Sequence, residues 1–365
     1  MKRRRILALV AEAYGCGGGI GQFNRHLIDA MVMRDDLEVR GVSLHGGTHA
    51  GEPDGMVWKV PRPGSKVAFA LTSTRQALTF RPDLIISGLI GFGGLAVPLK
   101  MMTGARLWSV THGWEAWQPG PALDNWGLRS SDMVTAVSRF TRDKLLSWYG
   151  RPAERVQLLP NTIDLDRFEP APRPAALEQR YGVHAKKVLL TIGRLAAIDA
   201  YKGQDRVIRL LAELNERCGE VHYIIAGDGD DRPRLESLVA ELGVERFVTF
   251  AGFVPDEDIE DLYKLADVFV MPSTGEGFGI VYLEAMACGC PVVAGNKDGS
   301  VDALADGELG RLVDPDDPRA LADAIAATLA DGRRHDARIP GVERFALPGY
   351  RNRVGELVDH VLDGC

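Results

Sequence analysis

Short apolar runs alternate with segments of helical periodicity in the first half of the chain. The runs fit buried parallel strands at Ile6–Val10, Leu84–Ser87, Leu107–Val110 and Met133–Val137. Helices are predicted at Ile20–Met33, Lys66–Phe80 and Arg139–Tyr149. This alternation indicates α/β units joined by right-handed crossovers.

The same pattern restarts after residue 165. It predicts strands at Val188–Ile192, Tyr223–Ala226, Phe247–Phe250, Val268–Met271 and Val292–Ala294. It predicts helices at Gln204–Leu214, Arg232–Leu242, Asp256–Leu265, Ile280–Cys288 and Pro318–Leu329. Prolines concentrated at 169–174 indicate a linker, because proline suits neither a helix interior nor a central strand. We therefore expect two doubly wound domains of similar size with a cleft between them.

Composition excludes several classes of protein. With 365 residues, 45% of them hydrophobic and 25% charged, the chain is neither disordered nor fibrous. Five cysteines without CxxC spacing argue against a disulfide framework and a structural zinc site. Apolar runs are too short to span a membrane, and the basic start is followed by a predicted strand rather than a signal peptide. We expect a cytoplasmic protein.

Charge is distributed unevenly. Residues 1–165 carry a formal charge of +6 and residues 166–365 carry −13, which gives the overall −7. The basic half suggests an anionic partner, either a membrane surface or a phosphate-bearing acceptor, although ordinary surface variation also explains it. Nucleic acid is a poor candidate because no basic stripe with interleaved aromatic residues is present.

Two glycine clusters follow predicted strands of the first half. Gly17, Gly18 and Gly19 lie in a run that opens the first helix, where glycine allows a backbone to approach a ligand closely. This run does not fit the dinucleotide-binding pattern G-x-G-x-x-G. The segment 91–96 does match G-x-G-x-x-A, and tight packing of a strand on a helix explains it better than a cofactor site.

The second half carries sharper signals. Arg194 follows a strand and Lys202 opens a helix, which provides two cations for a diphosphate. Glu276 lies in a glycine-bearing loop after a strand, and Glu284 follows eight positions later in the next helix. The acids between Asp228 and Asp231 are interpreted as a turn and a helix start, not as a metal site.

These motifs resemble retaining GT-B glycosyltransferases of glycosyltransferase family 4. The resemblance rests on Glu276-x7-Glu284 with Gly277-Phe-Gly279, on Gly193-Arg-Leu195 with Lys202-Gly203, and on 159–164, Leu-Pro-Asn-Thr-Ile-Asp. It implies two Rossmann-like domains that face a central cleft. The first would comprise residues 1–165 and bind the acceptor, and the second would comprise 166–345 and bind a nucleotide-sugar. A last helix, Pro348–Leu362, would cross back so that 346–365 join the first domain.

The resemblance also implies roles for individual residues of the second domain. Arg194 and Lys202 would neutralise the donor diphosphate, Glu276 would contact hydroxyls of the transferred sugar, and Glu284 would accept hydrogen bonds from the ribose. The remaining donor-binding positions implied in this way are Gly277, Phe278, Gly279 and Ile280. The loop between Arg194 and Lys202 is longer than the common form, and 294–300 lacks the usual glycine pair.

In the first domain, the family's cleft histidine corresponds to His112. Gly17, Gly18 and Gly19 would line the same cleft, and Ser138 would either do so or cap the following helix. No carboxylate is singled out as a nucleophile, so the resemblance favours front-face departure of the nucleotide diphosphate. It implies no cofactor and no required metal.

Donor and acceptor are expected on weaker grounds. The segment 279–284 resembles the family's mannosyltransferases, which makes GDP-mannose the first choice and UDP-glucose the second. A polyprenyl-diphosphate-linked glycan or glycolipid at the inner membrane face is the expected acceptor, as in cell-surface polysaccharide synthesis. The alternatives are a sugar-nucleotide 2-epimerase of the same architecture, a nicotinamide-dependent dehydrogenase based on 91–96, and a binding module without catalysis.

Overall fold

The chain folds into two compact units. A computed structural model describes residues 3–15, 18–46, 51–333 and 335–363. The first unit comprises Met1–Thr162 together with Leu347–Cys365, and the second comprises Ile163–Ala346. The expected domain boundaries at 165/166 and 345/346 lie within three residues of these positions.

A seven-stranded parallel sheet forms the first unit. Its strands are β1 (Arg4–Val10), β2 (Leu37–Ser43), β3 (Val57–Lys59), β4 (Leu84–Ser87), β5 (Arg106–Thr111), β6 (Met133–Ala136) and β7 (Val156–Leu158). Its helices are α1 (Gly19–Val32), α2 (Lys66–Phe80), α3 (Gly93–Thr103), α4 (Ala122–Ser130), α5 (Arg139–Tyr149) and the C-terminal α13 (Leu347–Asp363). The strand order is β3-β2-β1-β4-β5-β6-β7.

A six-stranded parallel sheet forms the second unit. Its strands are β8 (Lys187–Ile192), β9 (Val221–Ala226), β10 (Val248–Gly252), β11 (Val268–Met271), β12 (Val292–Gly295) and β13 (Arg311–Val313). Its helices are α6 (Ala175–Tyr181), α7 (Gln204–Cys218), α8 (Arg232–Glu241), α9 (Asp256–Leu265), α10 (Ile280–Ala287), α11 (Ser300–Ala303) and α12 (Pro318–Asp331). The strand order is β10-β9-β8-β11-β12-β13.

Both sheets are doubly wound, which confirms the predicted α/β class with two Rossmann-like sheets. Strand order reverses between β1 and β4 in the first sheet and between β8 and β11 in the second. Central strands are buried on both faces, as the uninterrupted burial of 6–10 and 188–192 shows. Parallel sheets of this kind bind ligands at the carboxyl ends of the strands beside the reversal point.

The proline-rich segment 169–174 is not a linker between the units, as the sequence suggested. It lies inside the second unit, where Arg173 forms an ion pair with Asp267 at the start of β11. The Asp267 carboxylate also accepts a hydrogen bond from the backbone N–H of Val188, at the start of β8. The prolines therefore shape an ordered extended segment that this partly buried ion pair anchors to the sheet.

The glycines of segment 91–96 pack one helix against another. A Cβ added at Gly93 would lie 2.7 Å from the Cα of Gly127 and 2.8 Å from the carbonyl oxygen of Leu123. Helices α3 and α4 thus approach closely at two facing glycines. This geometry supports the packing interpretation of the segment rather than a cofactor site.

Candidate active site

The strongest candidate site of the second unit lies where strands β8 and β11 end. These neighbouring parallel strands run in register, with Val268 opposite Leu189. The loop after β8 carries Arg194 and Lys202, and the loop after β11 carries Glu276. The structure therefore brings these three predicted residues to the reversal point of one sheet.

Close backbone contacts shape the loop after β8. A Cβ added at Gly227 would lie 1.9 Å from the carbonyl oxygen of Gly193, and one at Gly229 would lie 2.3 Å from that of Leu195. The backbone N–H of Leu195 also donates to the carbonyl of Asp228 at 3.0 Å. Glycine is required in the turn after β9 because the adjacent loop lies directly on it.

Lys202 and Glu276 form a buried ion pair. Each side chain keeps only 13% of its surface exposed, and the ammonium donates a hydrogen bond to Oε1 of the carboxylate. Burial disfavours the charged ammonium, but attraction to Glu276 and its hydrogen bond outweigh this, so the pKa of Lys202 is raised above its usual value. The lysine is therefore held as a cation.

Tyr201 joins the two loops beside this pair. Its carbonyl accepts a hydrogen bond from the N–H of Thr274 at 3.0 Å, and a Cβ added at Gly275 would lie 2.5 Å from its ring. Burial and the neighbouring Glu276 carboxylate raise the pKa of Tyr201 to about 12. The phenol is therefore neutral at physiological pH.

Arg194 differs from Lys202 in its surroundings. Its side chain is 77% exposed, and its guanidinium lies 3.0 Å from the carboxylate of Asp199, which is nearly buried. The arginine is thus anchored at one side and open to solvent at the other. It can reach an incoming anion without desolvating a buried group.

Residues 272–279, the glycine loop, connect β11 to α10. The loop ends at Gly279, which adopts a φ of 86°. A Cβ there would lie 2.4 Å from the ring of Tyr282, so only glycine fits. The Tyr282 hydroxyl in turn donates to the carbonyl of Met271 at 3.0 Å. The first turn of a helix has N–H groups without intrahelical partners, which suit an anion.

Two of the predicted donor-binding side chains are buried. Phe278 is 2% exposed and packs edge-on against Phe345 with ring centroids 5.7 Å apart, and Ile280 is 7% exposed. Neither side chain is open to a ligand in the structure. The ring of Phe278 therefore serves packing, and donor binding through its amide stays a prediction.

Asp298 holds the glycine loop in place, and sequence analysis did not single it out. Its carboxylate is 1% exposed and accepts hydrogen bonds from the backbone N–H of Glu276 at 2.7 Å and of Ser300 at 2.9 Å. Burial raises the pKa of Asp298, against the lowering effect of these hydrogen bonds. A carboxylate followed at once by a helix start is the signal that could have identified it.

Glu284 lies in the second turn of α10 and is 7% exposed. Its Oε2 accepts a hydrogen bond of 2.8 Å from the hydroxyl of Tyr263 in α9. The structure thus places Glu284 beside the site, in contact with a residue that sequence analysis missed.

His112 directly follows β5 in the first unit. Its Nε2 lies 2.9 Å from the carbonyl oxygen of Gly88, and its ring packs edge-on against Phe23 at 5.0 Å. A carbonyl only accepts hydrogen bonds, so Nε2 carries the proton in this contact. Burial lowers the pKa of His112, although Glu115 opposes this, and the neutral ring is favoured.

The other predicted residues of the first unit that the structure describes lie at helix starts. Gly18 precedes α1 with a φ of 106° and Gly19 is its first residue, while Gly17 lies outside the described residues. Ser138 is buried and accepts a hydrogen bond from the N–H of Thr141 at 3.0 Å. The structure therefore shows Ser138 as the cap of α5, and a role in acceptor binding stays a prediction.

The acids at 228–231 are engaged in local structure. Asp230 accepts a hydrogen bond from the N–H of Ala197 at 2.8 Å, and Asp231 pairs with Arg234 at 2.7 Å. Asp228 accepts from the N–H of Gly229 at 2.9 Å. These contacts support the interpretation as a turn and a helix start.

Two family models together match most of the chain. Residues 17–167 match the model described as Glycosyltransferase Family 4, and residues 177–341 match the model described as Glycosyl transferases group 1. The two matches fall on the two units in turn.

Curated relatives and solved structures agree with these models. The chain is 37% identical over 282 residues to the GDP-mannose-dependent alpha-(1-6)-phosphatidylinositol monomannoside mannosyltransferase of Mycolicibacterium smegmatis, covering 73% of this chain and 72% of the relative. It is 35% identical over 311 residues to the D-inositol 3-phosphate glycosyltransferase of Thermobispora bispora, covering 78% and 72%. The crystal structure of Anabaena HepE with UDP and glucose shares the fold, with a TM-score of 0.78, 23% identity and coverage of 98% and 100%. The chain therefore belongs to glycosyltransferase family 4 and is a glycosyltransferase of the GT-B fold.

Proposed function

We propose that this glycosyltransferase moves a hexose, with retention of configuration, from a nucleoside diphosphate sugar held by the second unit. The observation that carries this proposal is the buried Lys202–Glu276 pair at the reversal point, beside the amide groups that open α10. A cation, free amides and a carboxylate together match a diphosphate joined to a sugar.

The two cations would act on the leaving group. As the bond between the anomeric carbon and the phosphate oxygen breaks, negative charge grows on the nucleoside diphosphate. Lys202 and Arg194 would stabilise this charge, and the departing phosphate oxygen would take the proton of the acceptor hydroxyl. Bond breaking and bond making on the same face retain the configuration without a protein nucleophile, and the proposal requires no metal.

Glu276 would exchange partners when the donor binds. In the structure its carboxylate pairs with Lys202. A phosphate carries more charge than a carboxylate and would compete for the ammonium, which leaves Glu276 able to accept hydrogen bonds from sugar hydroxyls. The same residue would thereby hold the lysine before binding and the sugar after it.

GDP-mannose is the proposed donor. The Mycolicibacterium smegmatis relative is a GDP-mannose-dependent enzyme by name, and the sequence of 279–284 resembles mannosyltransferases. UDP-glucose is the alternative donor for the same site.

A thermal-shift panel tests the donor directly. GDP, UDP, GDP-mannose and UDP-glucose are each titrated with and without EDTA. Ligand at a hundredfold excess over its Kd adds about 2.7 kcal/mol to the free energy of unfolding. The nucleotide that the site binds, and its sugar conjugate, should therefore raise Tm clearly. We expect GDP and GDP-mannose to stabilise the protein whether or not EDTA is present. Stabilisation by the uridine compounds alone would assign the alternative donor, and a shift abolished by EDTA would contradict metal independence.

The proposed acceptor is a phosphate-bearing glycolipid or a polyprenyl-diphosphate-linked glycan. The excess positive charge of residues 1–165 supports it, and so do the two relatives, which are named for a phosphatidylinositol mannoside and for inositol 3-phosphate. Among the described helices, none combines the length and apolarity needed to cross a bilayer. We propose that the protein meets its acceptor peripherally, at the inner membrane face. Donor turnover without acceptor into an epimerised sugar-nucleotide would instead identify an epimerase.

A further inference from the structure

Tyr263 makes a specific polar contact with Glu284. The two residues lie on α9 and α10, and the phenol hydroxyl donates to Oε2 of the carboxylate at 2.8 Å. Tyr263 is fully buried, and its ring lies edge-on to that of Phe168 and tilted against that of Phe269. The hydroxyl therefore points at Glu284 from a ring that packing holds in place.

Arg333 fixes the two helices to each other. Its guanidinium donates to the carbonyls of Tyr263 and Ala266 at the end of α9 and to the carbonyl of Cys288 at the end of α10. These carbonyls have no partners within their own helices, so one cation caps both ends. Because the helix ends are tied, the hydroxyl of Tyr263 stays in register with the carboxylate of Glu284.

A hydrogen bond to one oxygen sets the direction of a carboxylate. Bonds in which the acceptor is ionised are shorter and about twice as strong as neutral ones. Burial and the Glu284 charge raise the pKa of Tyr263 well above its usual value, so the phenol keeps its proton and remains a donor. The hydrogen bond thereby holds the Glu284 carboxylate in one orientation, and the residue is 7% exposed.

We propose that Tyr263 is a positioning residue that orients Glu284 to recognise the ribose hydroxyls of the nucleotide. The inference rests on the proposed function, in which Glu284 accepts hydrogen bonds from the ribose. Tyr263 itself touches no substrate. Its hydroxyl determines whether the carboxylate distinguishes a ribonucleotide from a 2′-deoxyribonucleotide.

The experiment compares GDP with 2′-deoxy-GDP, or UDP with 2′-deoxy-UDP if the panel assigns uridine. Both nucleotides are titrated calorimetrically into the wild type, Tyr263→Phe and Glu284→Gln. We expect the wild type to prefer the ribonucleotide by about tenfold, the scale of one hydrogen bond to a charged group. Tyr263→Phe should lower this preference severalfold while binding of the deoxynucleotide stays nearly constant.

Matched variants separate positioning from a loss of stability. Tyr149→Phe removes a comparable buried hydrogen bond, from the phenol to the carbonyl of Leu128 at 2.9 Å in the first unit, and should leave the preference unchanged. In the Glu284→Gln background, Tyr263→Phe should have no further effect on the preference. If Tyr263→Phe is too unstable to titrate, 3-fluorotyrosine at 263 provides a stronger donor and should increase the preference.

The outcomes distinguish the two levels of the proposal. A preference that survives Glu284→Gln overturns the ribose assignment of the proposed function. A preference that Glu284→Gln removes but Tyr263→Phe leaves intact overturns the positioning role alone. Equal weakening of both nucleotides in Tyr263→Phe also overturns it, because a merely structural role predicts that result, and so does an unchanged preference with 3-fluorotyrosine.

Discussion

At the scale of single residues, the site is built from opposite charges that pair with one another. Lys202 and Glu276 are both mostly buried, and each lies against the opposite charge of the other. Their residue types and positions were visible in the sequence, and so was the chemistry that they offer. Their pairing was not, because 74 residues separate them and only the adjacency of β8 and β11 brings them together.

Variants of Lys202 distinguish its contribution to stability from its contribution to catalysis. Lys202→Met leaves the Glu276 carboxylate buried without its cation, and we expect it to cost about 3 kcal/mol of stability. The double variant Lys202→Met/Glu276→Gln removes both charges and should recover most of that loss in urea denaturation. Its kcat/KM should nevertheless stay below wild type by about 2–4 kcal/mol of transition-state stabilisation.

Arg194→Ala serves as the comparison for this pair. Its side chain is mostly exposed, so activity should fall by a similar amount with little change in stability. Near-normal turnover in the lysine and arginine variants would contradict the proposed stabilisation of the leaving group.

At the scale of elements, sequence periodicity located the strands and helices that have clean patterns. Every predicted strand is present, with its ends within two residues of the prediction. Strand β2 was missed because Glu38, Arg40 and Gly41 interrupt its apolar run, although Arg40 stacks on the ring of Phe80. Helix α3 was missed because two glycines and Pro98 lie within it. In both cases tertiary packing outweighs local propensity.

The contact between α3 and α4 gives a test at this scale. Gly93→Ala forces a methyl group into the backbone of Gly127 and should lower the free energy of unfolding by about 1–3 kcal/mol. Gly91→Ala is the matched control, because a Cβ there meets nothing within 4 Å and its effect should lie within about 0.5 kcal/mol. Equal losses in chemical denaturation would show that the packing explanation of this motif is wrong.

At the scale of the whole molecule, stability should depend on pH through a buried histidine remote from the glycine loop. His222 is 5% exposed, and its Nε2 lies 2.8 Å from the hydroxyl of Thr249. Burial, assisted by the positive charge of Lys186, lowers the pKa of His222 to about 4. The unfolded imidazole takes up its proton near pH 6.5, so between these values the unfolded state binds more protons and stability rises with pH.

The contribution of the neutral His222 side chain to the free energy of unfolding is fully present above pH 6.5 and is lost as the pH falls towards 4. Its size is at most about 3 kcal/mol. The free energy of unfolding should therefore fall less between pH 7 and pH 4.5 in His222→Gln than in the wild type. His360→Gln, at an exposed position of α13, should leave it unchanged. Parallel pH profiles for all three proteins would exclude His222 as the cause.

The ends of the second unit meet. The N–H of Ile163 donates to the carbonyl of Phe345 at 3.0 Å, and Ile163 is bridged to Ala346. Residues 163–346 are thus one uninterrupted stretch whose first and last residues lie side by side. A gene fragment for that stretch needs no new peptide junction, whereas producing the first unit alone requires a designed joint from Thr162 to Leu347. The second unit, proposed to bind the nucleotide-sugar, is therefore the part suited to exchange between relatives as one continuous segment.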